Sequence, residues 1–189
     1  MDRVRCFWVP EGDALYQAYH DDEGGVPVHD YHTLFEMLIL EGMQAGLSWI
    51  TILRKRDAYR AAFDDFDIDK IMGYDEARIE QLMQNAGIVR NRLKINAVIT
   101  NAKAFRRIED EFGSFDSYIW RFVDGAPIRI IRTGENDVPV RTGLSDAISA
   151  DLKKRGFKFV GSKIICAYMH AVGLIDGHTD ECFRRRIPG

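Results

Sequence analysis

Apolar residues recur at helical spacing in almost every segment of this 189-residue chain, and strand-like signal is confined to short runs such as Ile128-Arg-Ile-Ile131. A chain that buries side chains at a period of about 3.6 must pack helix on helix, so a nearly all-α fold is expected. The spacing predicts a helix from Asp30, with either Asp30 as N-cap or Thr33-Leu-Phe-Glu36 as a capping box, and Gly42 and Gly46 weaken its end. Ser48 is positioned to cap a second helix from Trp49 to about Phe63. Asp75 to Met83 and Leu93 to Ile108 read as two further helices joined by a hairpin over Asn85 to Arg92, and Phe115 to Val123 as another. Residues 124–144, rich in Gly, Pro and polar side chains, read as a loop. Ser145 is expected to cap a helix over 146–155 that Gly156 ends. The last helix is expected over 161–172, with Ile164, Ile165, Tyr168 and Val172 on one side.

With 46% hydrophobic and 11% aromatic residues the chain can bury a real core, which suggests one domain or two small lobes. The uncharged segment from Ile164 to Ile175 falls well short of the roughly 20 apolar residues that span a bilayer. No apolar stretch of the secretory kind follows Met-Asp-Arg-Val-Arg, so a cytoplasmic protein is expected, without a membrane partner. Three cysteines in a reducing compartment argue against a disulfide framework and leave metal binding or plain burial, the latter for Cys166. A net charge of −3 does not advertise a nucleic-acid binder. Cations nevertheless cluster at Arg54-Lys-Arg56, Arg90 to Lys94, Arg106-Arg107, Lys153-Lys-Arg155 and Arg184-Arg-Arg186, which makes either a basic face or a set of ordinary solvated helix ends.

Three features can carry chemistry. Glu41 continues the stripe of Leu34, Leu38 and Ala45, and the glycine-rich turn after it brings Trp49 back towards it. An acid beside an indole is a pocket motif, and the competing reading is a helix cap or an edge facing solvent. Cys6 and His20 near one end, with His178 and Cys182 four positions apart near the other, offer two nitrogens and two sulfurs to a tetrahedral zinc, or are incidental cysteines and surface histidines. The hairpin Ala86-Gly-Ile-Val-Arg-Asn-Arg92 presents turn amides with Gly87, Arg90, Arg92 and Lys94 to a phosphate, or is a plain helix connection.

The stretches "YHDDEGGVP" (19–27), "LFEMLILEGMQAGLSW" (34–49), "NAGIVRNRLKI" (85–95) and "SDAISADLKKRGFKFVG" (145–161) together resemble the type I DNA-3-methyladenine glycosylases, in order and over nearly the whole chain. The resemblance implies a helix-hairpin-helix glycosylase fold, a zinc that ties the two termini together, and excision of 3-methyladenine from alkylated double-stranded DNA. It puts the zinc ligands on Cys6, His20, His178 and Cys182, the base-recognising acid on Glu41, and the pocket aromatics on Trp8, Tyr16, Tyr19 and Trp49. A single domain is expected, acting as a monomer, with a helix-hairpin-helix lobe over about 30–145 and a zinc-bearing lobe from 1–29 plus 146–189.

Methylation at N3 makes the adenine cationic, so the base departs neutral and needs little acid catalysis. The implied work is to flip the nucleotide out and to recognise the charged ring, with water hydrolysing the bond and no lyase step. The sequence departs from the family pattern at Gly24, where an aromatic of the pocket region is missing, and at Lys163, where a small uncharged residue is usual and an added phosphate contact is expected. A zinc-stabilised protein that binds lesions without cutting is the rival reading.

Overall fold

Asp30 accepts from the Thr33 amide at 2.8 Å and starts the helix around which the molecule is built. In the computed structural model, which describes residues 3–132 and 139–185, this is α2 (Tyr31–Gln44), and every residue from Leu34 to Met43 is buried. Before it comes α1 (Ala14–Asp22), and after it α3 (Trp49–Ala62), α4 (Ile68–Met72), α5 (Glu76–Gln84), α6 (Arg92–Phe112) and α7 (Phe115–Trp120). The chain then runs through a two-residue strand β1 (Ile128–Arg129) to α8 (Gly143–Lys154), α9 (Ser162–Ala171) and β2 (Ile175–Asp176). Helices α3, α6, α7 and α9 all pack on α2, whose Leu34, Phe35 and Leu40 are completely enclosed. Each such side chain contributes about 1.5–3 kcal/mol of burial. The expected class therefore holds: the described residues are mostly helical, and β1 pairs in parallel with β2, Ile128 opposite Ile175.

Polar anchors fix α2 along its length. The Tyr168 hydroxyl of α9 donates to the Leu34 carbonyl at 3.2 Å. Glu36 is buried and accepts from Arg56 Nε at 2.8 Å and Arg60 Nε at 2.9 Å, both on α3, so it serves as an ion-pair hub and not as a capping-box residue. At the far end Lys94 of α6 is buried, and its ammonium donates to the carbonyls of Met43 at 2.8 Å and Ala45 at 2.7 Å, supplying partners that a helix C-terminus lacks. Burial lowers the Lys94 pKa.

Several boundaries differ from the periodicity. Thr142, not Ser145, is the N-cap of α8; Ser145 is the reciprocal partner, three residues on, in a Thr-Ser capping box. Helices α1 and α4 lie where no helix was expected, because each is a short segment with a weak apolar stripe. Ser48 precedes α3 as expected, but its hydroxyl bonds to Thr51 Oγ1 at 2.7 Å and makes no backbone cap. The spacing of His178 and Cys182 is realised in a turn, closed by the Cys182 amide on the Thr179 carbonyl at 3.0 Å, and not in a helix. Part of the loop expected over 124–144 lies outside the described residues.

Because the Lys94 ammonium is spent on two buried carbonyls, Lys94→Ala is expected to lower the free energy of unfolding by about 2–3 kcal/mol, the scale of losing charged hydrogen bonds in the interior. Urea denaturation checks this, and a cost within about 0.5 kcal/mol of zero would mean that α2 ends without Lys94.

Candidate functional site

Two neighbouring features share the wall between α1, α2 and α9. The first is a cluster in which Cys6, from the N-terminal segment, and His20, from the last turn of α1, meet His178 and Cys182, which follow β2. All four are buried, and their ligand atoms lie within 4.8 Å of one another. Cys6 Sγ is 3.5 Å from His178 Nδ1, and Cys182 Sγ is 3.4 Å from His20 Nε2 and 3.7 Å from His178 Nδ1.

Both imidazoles are oriented from behind. His20 Nδ1 donates to Asp21 Oδ1 at 2.8 Å, and Asp21 is itself gripped by Arg5 at 2.8 and 2.6 Å, which holds its carboxyl down at about 2. His178 Nε2 donates to the Gly24 carbonyl at 3.0 Å. Gly25, at φ +76°, leaves that ring its place, since a Cβ there would lie 2.9 Å from Nε2. Each ring thus turns an unprotonated nitrogen on the sulfurs. Burial opposes ionisation of both thiols, yet the adjoining His178 and His20 rings and the Thr179 amide bring Cys6 down to about 5. Burial and the neighbouring Cys6 charge push Cys182 up to about 11. A cation at the centre of the cluster would favour the thiolate form of both. The cluster can hold a metal ion.

The second feature is a cavity of about 240 Å3 whose wall includes Trp8, Tyr19, Gly24, Glu41, Trp49 and His178. Tyr19 and Trp49 meet at 5.3 Å between ring centres. Trp8 packs edge-on to His20 of the cluster at 5.1 Å, and Tyr16, which is not part of the wall, touches Trp8 at 5.7 Å and Tyr19 at 6.4 Å. Of the four aromatics expected to form the pocket, three line it and Tyr16 braces them. Glu41 is 4% exposed, and its Oε2 has no hydrogen-bond partner, nor has the buried Trp49 Nε1. Desolvation alone raises the Glu41 carboxyl to about 8. Buried polar atoms without partners are scarce in folded proteins, and two of them on one cavity wall imply a ligand that supplies the missing bonds.

Sequence reasoning missed Gln44, Arg132, His170 and Gly177, which line the same cavity. His170 was legible in principle, as a polar residue on the buried side of an apolar helix, by the argument that singled out Glu41. Burial, reinforced by the Arg132 charge, brings it down to about 4, so it is neutral near pH 7. Gly177 admits that ring, since a Cβ there would lie 2.6 Å from His170 Nδ1. Arg132 Nη1 donates to the Gly177 carbonyl at 2.8 Å.

The hairpin between α5 and α6 forms as expected. A Cβ on Gly87 would lie 2.9 Å from Ala58 Cβ, so only glycine lets the turn close against α3. Lys55 Nζ donates to the carbonyls of Ala86 and Gly87, each at 3.2 Å. The three cations read as phosphate contacts part company here. Arg90 is exposed with no ion pair to a described residue. Arg92 is paired with Glu76 and Glu80 of α5, and Lys94 points inward onto α2. The geometry therefore leaves Arg90 facing outward and commits the other two to the fold, and the turn amides read as phosphate donors are bonded within the chain instead, Gly87 to Asn85 Oδ1 at 2.8 Å and Val89 to the Tyr59 hydroxyl at 3.1 Å.

The family model described as methyladenine glycosylase matches residues 8–185. The DNA-3-methyladenine glycosylase 1 of Escherichia coli strain K12 is 49% identical over 178 residues, 94% of this chain and 95% of that protein. A crystal structure of 3-methyladenine DNA glycosylase I superposes with a TM-score of 0.94 at 49% identity, covering 97% of this chain and 100% of that one. The Staphylococcus aureus 3-methyladenine DNA glycosylase I, solved for its recognition of 3-methyladenine, superposes with a TM-score of 0.91 at 35% identity, covering 94% and 95%.

The pH dependence of stability follows from Glu41. In the folded chain its proton is held up to about pH 8, whereas a solvated glutamate releases it near 4.5. The contribution of this group is thus fully present below 4.5 and is lost as pH rises to about 8, at up to about 1.4 kcal/mol per unit. Glu41→Gln removes the titration, so its stability relative to wild type should climb steadily between pH 5 and pH 8 in calorimetric melts. A difference that does not change over that range would mean a solvated carboxyl.

Proposed function

The chain belongs to the methyladenine glycosylase family, and we propose on that premise that it hydrolyses the N-glycosidic bond of 3-methyladenine in alkylated double-stranded DNA, as a monomer of the cytoplasm engaged in base-excision repair. One observation carries the reading: an unpartnered, desolvated carboxyl in an aromatic-walled cavity of purine size. A cavity of roughly 150 Å3 takes benzene, so one of about 240 Å3 suits a two-ring base. The nucleotide flips out of the duplex at a cost of a few kcal/mol, and its base enters between Tyr19, Trp49 and Trp8.

Glu41 recognises the lesion by charge. Before binding, its carboxyl is protonated at neutral pH. A cationic ring opposite it favours the ionised form, which then accepts from the exocyclic amine, while the aromatic faces attract the same positive charge. Neutral adenine brings no such charge. The bond to deoxyribose is already weakened by methylation, so binding energy spent on the cation and access of water to C1′ suffice, and no lyase step follows. Arg90, exposed on the hairpin that Gly87 lets close, holds the DNA backbone.

The cluster suits zinc. Bonds of about 2.3 Å to sulfur and 2.0–2.1 Å to nitrogen in a tetrahedron separate sulfur from nitrogen by roughly 3.5 Å, close to the 3.4, 3.5 and 3.7 Å between these atoms. Cys6, His20, His178 and Cys182 would close the coordination sphere, so the ion has a structural role, linking the N-terminal segment to the C-terminal one. The two-lobed division, 30–145 against 1–29 with 146–189, follows this link.

Release of radiolabelled 3-methyladenine from methylated duplex DNA tests the function. Wild type is expected to release it, and binding of the duplex without release would favour the lesion-binding rival. Glu41→Gln should lose both excision rate and affinity for free 3-methyladenine, with affinity for undamaged DNA unchanged. Normal binding of the free base without excision would instead assign Glu41 to activating water. For the ion, elemental analysis should find one zinc per chain, and Cys182→Ser should lower the melting temperature markedly, since metal binding in small zinc domains is worth about 10–16 kcal/mol. Metal-free protein with wild-type stability would contradict it.

A further inference from the structure

The wall of the base-sized cavity carries an imidazole as well as a carboxyl. Helix α2 contributes Glu41 and Gln44 to it, and α9 contributes Ala167, His170 and Ala171, successive positions on one helix face. The His170 ring is seated on Gly177, where a Cβ would come within 2.6 Å of Nδ1 and 2.7 Å of Cε1, and Arg132 Nη1 holds the Gly177 carbonyl at 2.8 Å. Neither nitrogen of the ring hydrogen-bonds a described residue. Burial keeps the imidazole neutral near pH 7, and in either protonation state it carries an N–H.

The chemistry of the base decides what this imidazole can do. On 3-methyladenine the amine at C6 is flanked by two ring nitrogens, N1 and N7, and both are acceptors. With the amine donating to Glu41, a second polar group that reads the same half of the ring has to donate. Trp49 Nε1 is a buried donor without a partner on this wall, but an indole stacked on the base holds its N–H parallel to the base plane, out of reach of the ring edge. His170 lies in the same cavity on a different helix from Glu41 and is free to meet the base edge-on. Resting on the glycosylase reading above, we propose that His170 donates an N–H to whichever of N1 and N7 faces it, beside the amine contact of Glu41. The two contacts divide the work. Glu41 and the aromatic faces respond to the positive charge that methylation brings, whereas N1 and N7 accept hydrogen bonds with or without the methyl group. His170 therefore selects the type of base, and Glu41 the lesion.

Removing the donor and the acceptor separately tests the contact. Binding of free 3-methyladenine and of its 1-deaza and 7-deaza analogues, in each of which a C–H replaces one ring nitrogen, is measured by calorimetry for wild type, His170→Phe and His170→Gln. His170→Phe keeps a flat ring and removes the N–H, so it should weaken binding of 3-methyladenine about tenfold. It should weaken one deaza analogue to the same extent and leave the other at its wild-type affinity, because that analogue already lacks the accepting nitrogen. His170→Gln, which returns an N–H on an amide, should restore the affinity for 3-methyladenine. In the wild type itself, the nitrogen-15 signal of the His170 N–H should move when 3-methyladenine binds and move less with the analogue that His170→Phe leaves unaffected. Equal losses for all three bases in His170→Phe, no loss for any, or a ring signal that 3-methyladenine leaves in place would overturn the assignment. Release of 3-methyladenine from methylated duplex DNA by the same wild-type preparation keeps the two readings apart: with release intact, those outcomes remove the His170 contact alone, whereas absent release removes the glycosylase reading itself.

Discussion

A carboxyl group enclosed without a full set of partners is the constraint to which the rest of this molecule answers. Glu41 sits on the most buried helix of the fold, and left to itself it would swing towards water or draw water in. It is kept in place because α2 is held by other elements at each level: Asp30 at its start, Tyr168 on Leu34, Arg56 and Arg60 on Glu36, and Lys94 on its last carbonyls. The apolar residues around Glu41 make its charge costly, and the polar anchors are spent on the backbone and on Glu36. Burial raises the Glu41 pKa to about 8, and a guest that brings positive charge or hydrogen-bond donors to the carboxylate relieves the cost of ionisation.

The cysteine–histidine cluster and the cavity form one structural unit. His178 belongs to both, Trp8 leans on His20, and the Gly24 carbonyl that orients His178 comes from a residue of the cavity wall. The cluster that joins the chain ends therefore sets the position of an aromatic ring in the cavity wall. Loosening the cluster would loosen that wall while leaving Glu41, which is anchored from α3, α6 and α9, close to its place. Stability and base selectivity should respond to different parts of the same neighbourhood.

Much of this was legible in the sequence, and the reasons it was not always so are physical. Helices α2, α3, α6 and α9 are long and carry strong apolar stripes, so periodicity found them, and Glu41 stood out as an acid on such a stripe. The four cluster residues were ambiguous by spacing alone, because contact between segments some 170 positions apart, as for Cys6 and His178, leaves no local trace; the family resemblance singled them out. The hairpin glycine was legible for the same reason as the helices around it. What could not be read was direction. Lys94 and Arg92 lie in a run that looks basic and solvated, yet the angle between α5 and α6 points one at a helix end and the other at two glutamates. Ser145 stood out as the cap on paper, and the structure uses it as the reciprocal partner of Thr142, the actual N-cap, in one box. His170 and Arg132 reach the cavity through tertiary packing, with Gly177 making room for one and accepting from the other.

The claim on which the account turns is that Glu41 is a desolvated acid waiting for a base. Carbon-13 NMR of the side-chain carboxyl in selectively labelled protein, titrated with and without 3-methyladenine, measures it directly. The account predicts a midpoint near 8 in the free protein, as the enclosed carboxyl requires, and a displaced midpoint once the base fills the cavity. A midpoint near 4.5, unmoved by the base, would mean that the carboxyl is solvated and would contradict the account.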